Sequence, residues 1–334
     1  MRIGLSCDLK DAVRLEMAAA DDELEEYDSV ETVDIIRSSL ENLGHTVITL
    51  GGGKEFLAKV VDENVDIVFN IAEGRGTYRS REAQVPAVLE MLNIPYSGSD
   101  PQCLTICLDK PLTKTLVNLA GIKTPKWTVV KTEDQLKSSD WQDLTFPAIV
   151  KPAFEGSSKG VRATSLVTDS DEAFDEIQRQ LVNYRQPVMI EEFIDGDEVT
   201  VGIIGNSPPE VLGIMRILPR DKRNNFIYSL EVKRDWERLV DYECPAYLDE
   251  EVLLHIKENS LKIFDVLGCR DFARIDFRIS KDGIPYFIEI NPLPGLGTYS
   301  DLVIMALKLG WTHHGLITTV FNATLSRYPQ YVCI

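Results

Sequence analysis

Arg274, Asp276, Arg278, Glu289 and Asn291 are the residues best placed to do chemistry together. They flank Asp282-Gly283, a dipeptide that favours a two-residue type I′ turn between antiparallel strands. With that turn, Lys281 pairs with Ile284, Asp276 falls opposite Glu289, and Arg274 falls opposite Asn291. Strand side chains alternate between faces, so all five share one face, with Phe287 as its only apolar member. Ile275, Phe277, Ile279, Tyr286, Ile288 and Ile290 share the other, which can pack on a core. Two carboxylates and an amide oxygen suit a hard cation such as Mg²⁺, which fills its shell with phosphate oxygens. An arginine beside them suits an oxyanion, because its planar fork makes paired hydrogen bonds. The same alternation also describes an ordinary half-exposed hairpin with a solvated, charged face. The segment Asn291-Pro-Leu-Pro-Gly295-Leu-Gly favours the chemical reading, since a stiff turn there leads to backbone amides that can approach a ligand closely.

A second group lies upstream. Lys151-Pro-Ala-Phe-Glu155-Gly156-Ser157-Ser158-Lys159-Gly160 joins two expected strands. Its amides and hydroxyls can cradle phosphates, and its flanking lysines add positive charge. It lacks the GxxxxGK[ST] spacing of a Walker A loop. Ile190-Glu191-Glu192-Phe193-Ile194, with Glu198 beyond, offers a strand edge and carboxylates able to read an adenine. Asn70-Ile-Ala-Glu73-Gly-Arg-Gly76 follows a strand, where open α/β sheets place ligands. An acidic run after the first strand includes Glu16, Asp21, Asp22, Glu23, Glu25 and Glu26. It reads as a solvated or mobile loop from which one carboxylate can meet a substrate ammonium.

These groups need a scaffold. The N-terminal pattern alternates strand and helix: strands Ile3–Leu5, Thr46–Leu50 and Val65–Ile71, with helices from Ser29 to about Leu43 and over Lys54–Val61. That alternation implies a parallel sheet. A helix begins near Arg79 and runs to about Leu92. Asp100 and Pro101 fit an N-cap and first helical position for one helix that carries Lys110 and ends near Gly121. Strands follow at Trp127–Val130, Phe146–Val150, Val188–Glu192, Val199–Ile204, Val211–Arg216 and Ile227–Val232, with Lys233-Arg234-Asp235 at the end of the last. Arg220–Asn225 reads as a polar loop. Helices are expected at Ser170–Leu181, Asp249–Leu267, Asp301–Leu309 and His314–Tyr328. The fold class is α/β, and α+β in its later part. The expected domains are 1–100, 101–190 and 191–334.

The 334 residues exceed one ordinary core. The net charge of −18 disfavours nucleic acid and anionic membranes as partners. No apolar run approaches the roughly 20 residues that span a bilayer, and the N-terminus lacks a signal peptide's apolar stretch. A cytoplasmic protein is expected. The six cysteines form no CxxC or Cys/His cluster and read as buried or free thiols. Cys103 and Cys107 are one helical turn apart, with nothing nearby in the chain to complete a zinc site. Scattered histidines argue against a histidine triad.

Taken together, the chain resembles the D-alanine–D-alanine ligase-like branch of the ATP-grasp superfamily. Four motifs carry the resemblance, in order, from about Val68 to Leu309: Tyr96-Ser-Gly-Ser with Leu108-Asp-Lys110; VKPAFEGSSKGV; IEEFIDGDEVTV; and ARIDFRI with EINPLPG. The resemblance implies an N-terminal α/β domain before a two-lobed ATP-grasp fold. It implies an ATP-dependent carboxylate–amine ligase that joins amino acids or short peptides through an acyl phosphate. It also implies residue roles. Lys110 and Lys151 would contact ATP phosphates under a flap of Glu155, Gly156, Ser157 and Ser158. Glu191, Phe193 and Ile194 would hold adenine, and Glu198 the ribose. Lys233 would reach the γ-phosphate. Asp276, Glu289 and Asn291 would hold two Mg²⁺ (or Mn²⁺) ions. Arg274 and the Gly295 amide would steady the acyl phosphate and the tetrahedral intermediate. A homodimer is implied.

The chain departs from that pattern at substrate recognition. The long stretch Cys7–Asp28 replaces a short glycine-rich loop. Glu73 stands where the family has histidine, and Arg234 where it has a flap-closing tyrosine. Tyr299, Ser300 and Asp301 fall where a Ser-Leu pair holds the second substrate. The departures leave amide ligation intact and alter the charge of the substrate sought. Two other readings are an ATP-grasp ligase of a specialised pathway and an ATP-binding regulatory module without catalysis.

Overall fold

The computed structural model describes residues 1–14, 21–138, 141, 143–221 and 225–331. Glu16, Cys333 and positions 222–224 of the expected polar loop lie outside them. Among the described residues, three sheets organise the fold. Strands β1 (Arg2–Ser6), β2 (Thr46–Thr49) and β3 (Ile67–Asn70) form a parallel sheet in the order β2-β1-β3. Strands β4 (Trp127–Val130), β5 (Ala148–Pro152), β6 (Leu166–Val167) and β7 (Val188–Glu192) form a second, in the order β4-β7-β5-β6. Strands β8 (Gly196–Ile204), β9 (Glu210–Pro219), β10 (Val240–Glu243), β11 (Phe272–Ser280) and β12 (Pro285–Asn291) form an antiparallel third, in the order β10-β9-β8-β11-β12.

Local signals set many boundaries. The Ser29 hydroxyl accepts from the Thr32 amide and opens helix Val30–Asn42, and Gly44 follows its end in the left-handed region at φ 83°. One element expected as a single helix is two. Pro101–Leu108 stops at Asp109, whose carboxylate accepts from the Leu112 amide and starts Lys110–Leu119. Pro111 supplies no amide hydrogen, so the chain restarts there instead of continuing.

The segment Ile227–Val232 corrects a second expectation. It contains no strand; Leu230–Arg234 is a short helix. Leu230 is buried, and its amide bonds to the Val161 carbonyl at 3.0 Å. Lys233 and Arg234 therefore sit on a helix, three and four residues after the apolar anchor. The spacing of Ile227, Leu230 and Val232 fits either period, and docking on the glycine-serine loop decides for the helix.

The opening hairpin holds a third correction. The turn is a three-residue loop, with Gly283 at φ 75° and Ser280 paired to Ile284 (N to O, 3.0 Å). That shifts the register by one at the turn end. A bulge at Ile288 shifts it back, so Arg274 still faces Asn291 and Asp276 still faces Glu289. Between the two, faces exchange. Phe287 turns to the core beside Phe277, with ring centroids 6.3 Å apart at 78°, and Ile288 joins the polar face. The cause lies outside the hairpin: the Phe287 amide donates to the Lys123 carbonyl at 2.8 Å, and its carbonyl accepts from Thr124 Oγ1 at 3.0 Å.

Candidate active site

The polar face of β11 and β12 is cross-linked. Arg274 Nη2 lies 2.8 Å from Asp276 Oδ2, and Nη1 lies 3.3 Å from Asp301 Oδ2. Thr200, opposite Asp276 on β8, donates to Asp276 Oδ1 at 2.6 Å. Arg278 is fully engaged. It pairs with Glu198 at 2.6 Å, donates to the carbonyls of Ile194, Gly196 and Phe226, and lies 4.4 Å from the Phe193 ring centroid. It therefore braces the 193–198 turn.

Glu289 is the electrostatic centre. Burial would raise its pKa, but Lys110, Lys151, Lys233 and Arg274 overcome that and hold it at about 2. Burial pushes Asp276 the other way, upward, with Glu289 adding repulsion and Arg274 opposing. Asn291 keeps its side-chain nitrogen buried without a hydrogen-bond partner. Two carboxylates beside an amide whose bonding is incomplete make a donor set of hard oxygens that fits Mg²⁺.

The lysines are anchored from below. Lys151 Nζ lies 2.5 Å from Glu191 Oε1, and Lys114 Nζ 2.8 Å from Glu191 Oε2. Lys114 is wholly enclosed, and burial lowers its pKa to about 8 against the pull of Glu191. Sequence reasoning missed Lys114. Its signal was the four-residue spacing from Lys110, which puts both on one helix face. Lys110 Nζ donates to the Glu155 carbonyl.

The glycine-serine loop holds Ser157 and Ser158 in the left-handed region, at φ 49° and 59°. The acidic segment holds it there. That segment is only in part the solvated face expected: Asp21 is exposed, but Asp22 is 0% exposed, and Glu26 and Asp28 are buried. Asp22 accepts from the Gly160 amide (3.0 Å) and the Tyr184 hydroxyl (2.7 Å). Glu26 accepts from the Gly156 amide (2.5 Å) and Arg81 (2.7 Å), and Arg81 reaches Glu155 at 3.2 Å. Arg234 pairs with Glu25 and with Asp21. Thus carboxylates from the first 28 residues close over the loop, and Arg81 bridges the two.

Two adjoining cavities result. The larger, of about 340 Å³, is lined by Glu73, Lys110, Glu155, Gly156, Ser157, Lys233, Arg234, Arg274, Glu289, Asn291, Gly295, Tyr299 and Ser300. The smaller, of about 80 Å³, is lined by Lys151, Ser158, Glu191, Ile194, Glu198 and Asp276, and shares Lys110, Glu155, Lys233 and Glu289. Of the residues given ATP, metal or substrate roles by the family resemblance, Phe193 alone lies outside both linings, beneath Arg278; Asp21, Asp22 and Glu23 of the acidic run also lie outside them. Asp28, Glu82 and Tyr228 also line the larger cavity and were not expected there, and Asp301 joins Tyr299 and Ser300 in that lining as the sequence suggested. The Tyr228 hydroxyl lies 2.6 Å from that of Tyr242 and donates to Asp301 at 3.0 Å. The fold also brings Cys269 to within 3.6 Å of Cys103, which lies 3.9 Å from Cys107, a grouping no local spacing signalled.

Residues 116–322 match the family model described as the D-ala D-ala ligase C-terminus. The chain is 34% identical over 294 residues to the D-alanine–D-alanine ligase of Aquifex aeolicus, covering 88% of this chain and 94% of that one. The chain belongs to the D-alanine–D-alanine ligase family. A D-alanine–D-alanine ligase of Fervidobacterium nodosum is 31% identical over 300 residues, covering 86% and 91% of the two chains. The crystal structure of the Bacillus anthracis D-alanine–D-alanine ligase complexed with ATP superposes with a TM-score of 0.76, at 25% identity and over 99% of each chain. The chain is thus an ATP-dependent ligase that forms an amide bond. Among the described residues, no helix is long and apolar enough to cross a membrane.

Proposed function

We propose that this ligase activates the carboxylate of one amino acid and joins it to the amine of another, with ATP in the smaller cavity and the amino acids in the larger. The observation that carries this is the position of Glu289: it lines both cavities, and the charges of Lys110, Lys151, Lys233 and Arg274 all act on it. In this reading Lys151 and Lys110 bind phosphates, Lys233 meets the γ-phosphate, and Gly156, Ser157 and Ser158 cover them. Glu191, Ile194 and Phe193 flank the adenine, and Glu198 the ribose. Asp276, Glu289 and Asn291 would hold Mg²⁺, which supplies charge neutralisation on the transferring phosphoryl group.

The substrate carboxylate attacks the γ-phosphorus, ADP leaves, and an acyl phosphate forms. The amine then attacks its carbonyl carbon, and phosphate leaves. Arg274 and the Gly295 amide stabilise the oxyanion of that second step, and the closed loop excludes water from the acyl phosphate. Arg274 is held in place for this by Asp276 and Asp301, so it needs little reorganisation during the reaction. Glu73, Arg234, Tyr299 and Ser300 are assigned to substrate selection. We divide the chain at 1–100, 101–190 and 191–334, with β7 carrying it across the last boundary. The family resemblance supports a cytoplasmic homodimer.

The test is phosphate release from ATP and Mg²⁺ with D- and L-amino acids, singly and in pairs, with product masses. Release that needs both a carboxylate and an amine, with a dipeptide mass, is expected. ATP binding without release for any pair would sink the ligase assignment in favour of a regulatory module.

Two smaller effects follow from the loop and its anchor. Glu26→Gln removes the charge that Arg81 and the Gly156 amide share, so the KM for ATP rises about tenfold. An unchanged KM would separate the acidic segment from phosphate binding. Lys114→Met leaves Glu191 with Lys151 alone, which raises the KM for ATP by roughly tenfold and leaves the KM for the amino acids unaffected.

A further inference from the structure

The larger cavity has an acidic end that the ligase reaction does not explain. Asp28, Glu73 and Glu82 line it, Asp28 and Glu82 being 9% and 7% exposed. None of the three carboxylates has a hydrogen-bond or ion-pair partner among the described residues. Lys10 acts on Asp28 and Lys233 lines the same cavity, but neither pairs with any of the three, and four other nearby cations are engaged elsewhere. Arg81 gives its hydrogens to the Phe154 carbonyl, Glu26 and Glu155. Arg234 gives them to Glu25 and Asp21. Arg75 pairs with Asp8 at 3.0 Å, and Lys110 donates to the Glu155 carbonyl. Asp28 and Glu82 are buried and Glu73 is half-buried, and carboxylates that face a cavity without partners are completed by a ligand cation. One α-ammonium can satisfy one or two of the three, and at least one remains.

We propose, resting on the ligase reading above, that the amino acid bound at this end carries a second, side-chain ammonium held by Glu73, Glu82 and Asp28, so that the substrate class is a basic amino acid of the lysine or ornithine kind. The electrostatics agree. Burial pushes Asp28 up to about 7, with Asp8 adding repulsion and Lys10 opposing. Burial pushes Glu82 up to about 8, against Arg81 and Lys110 and with Glu26 and Cys103 adding repulsion. Glu73 is raised by burial and by Glu82, Glu26 and Asp28, with Arg81 opposing. Tyr299 lines the same cavity and is raised by burial and by the charges of Asp28, Glu25 and Glu31. Asp28 and Glu82 hold protons near neutrality when the cavity lacks a cation. The ammonium form binds their ionised state, so binding releases protons and tightens as pH rises through about 7 to 8, where a lysine side chain stays charged.

The experiment compares lysine and ornithine, in both configurations, with norleucine and alanine, each paired with a common amine partner, by phosphate release with MgATP. Lysine or ornithine should exceed norleucine, which matches lysine's stem without its charge, by about 100-fold in kcat/KM. Glu82→Gln and Glu73→Gln should each cut that ratio roughly tenfold, through KM more than kcat. Calorimetry of lysine binding to the wild-type chain with MgATP analogue, in two buffers of different ionisation enthalpy, should show proton release. This reading stands even if a variant fails to fold. Norleucine or alanine equal to lysine, or lysine binding without proton release, overturns the proposal and leaves the ligase assignment intact. No phosphate release with any amino acid overturns both.

Discussion

Glu289→Ala lowers phosphate release by about 10³-fold or more, the scale of removing a principal electrostatic group from a phosphoryl-transfer site. Glu289 is the carboxylate that four cationic side chains stabilise, and its place opposite Asp276 makes the pair the core of the proposed Mg²⁺ set. The variant also loses stability. Ionised Glu289, held at about 2, contributes to the fold above the ordinary carboxyl pKa, and that contribution fades as pH falls through about 2. At pH 7 its removal leaves Lys110, Lys151, Lys233 and Arg274 facing one another and costs on the order of 2 kcal/mol. From sequence alone Glu289 is a face-exposed carboxylate with little structural role; enclosure among four cations gives it one. ATP should restore much of the lost stability, because its phosphates replace the missing charge. Turnover within tenfold of wild type would dismiss the metal assignment. Asp276→Asn should raise the Mg²⁺ concentration needed for half-maximal rate, and an unchanged titration would remove Asp276 from the set.

Asp271→Ala destabilises the fold by about 3–5 kcal/mol, as expected when one member of a buried charged network is removed. Asp271 is 0% exposed and accepts from Gly98 N (2.8 Å), Asn206 Nδ2 (3.0 Å), Thr324 Oγ1 (2.8 Å) and two nitrogens of Arg327 (2.8 and 2.7 Å). It adopts φ 66°, a strained conformation that these bonds sustain. Through them it ties the Tyr96-Ser-Gly segment and the last long helix, His313–Ser326, to the start of β11, three residues before Arg274. The midpoint of thermal unfolding should fall by roughly 4–7 °C, and kcat should fall with it as β11 loses its anchor. Asp271→Asn, which keeps one acceptor, should cost less. A shift of only a degree or two for the alanine variant would mean that the network is dispensable.

The hairpin shows how far local pattern reaches. Alternation along β11 was enough to put Arg274 and Asp276 on one face, because a strand's period is a property of its own backbone. The pairing with Glu289 and Asn291 came out as expected only because two irregularities cancel, the longer turn and the bulge at Ile288. Neither can be seen within the hairpin, since the bulge answers to Lys123 and Thr124 more than 150 positions away. Phe287 and Ile288 were assigned to the wrong faces for that reason.

Caps behaved as local chemistry predicts. Ser29, Asp100, Thr132 and Thr312 each accept from an amide within the first turn of the helix that follows. Ile227–Val232 did not, because a short apolar segment fits both periods and its neighbours choose.

By itself the sequence determined the α/β alternation, the phosphate-loop composition, the carboxylate pair and the family. All of these rest on residue type, order and periods of two or 3.6, which neighbouring residues express without help. Only the tertiary structure decided that the acidic segment is a clamp, that Lys114 and Lys151 share Glu191, and that Asp28, Glu73 and Glu82 meet at one end of a cavity. Asp22 finds Gly160 across 138 positions, and Arg234 finds Glu25 across 209. A charge carries no mark of its partner in the chain; burial selects the partner, because a carboxylate removed from water must be met by whatever donor the fold brings to it.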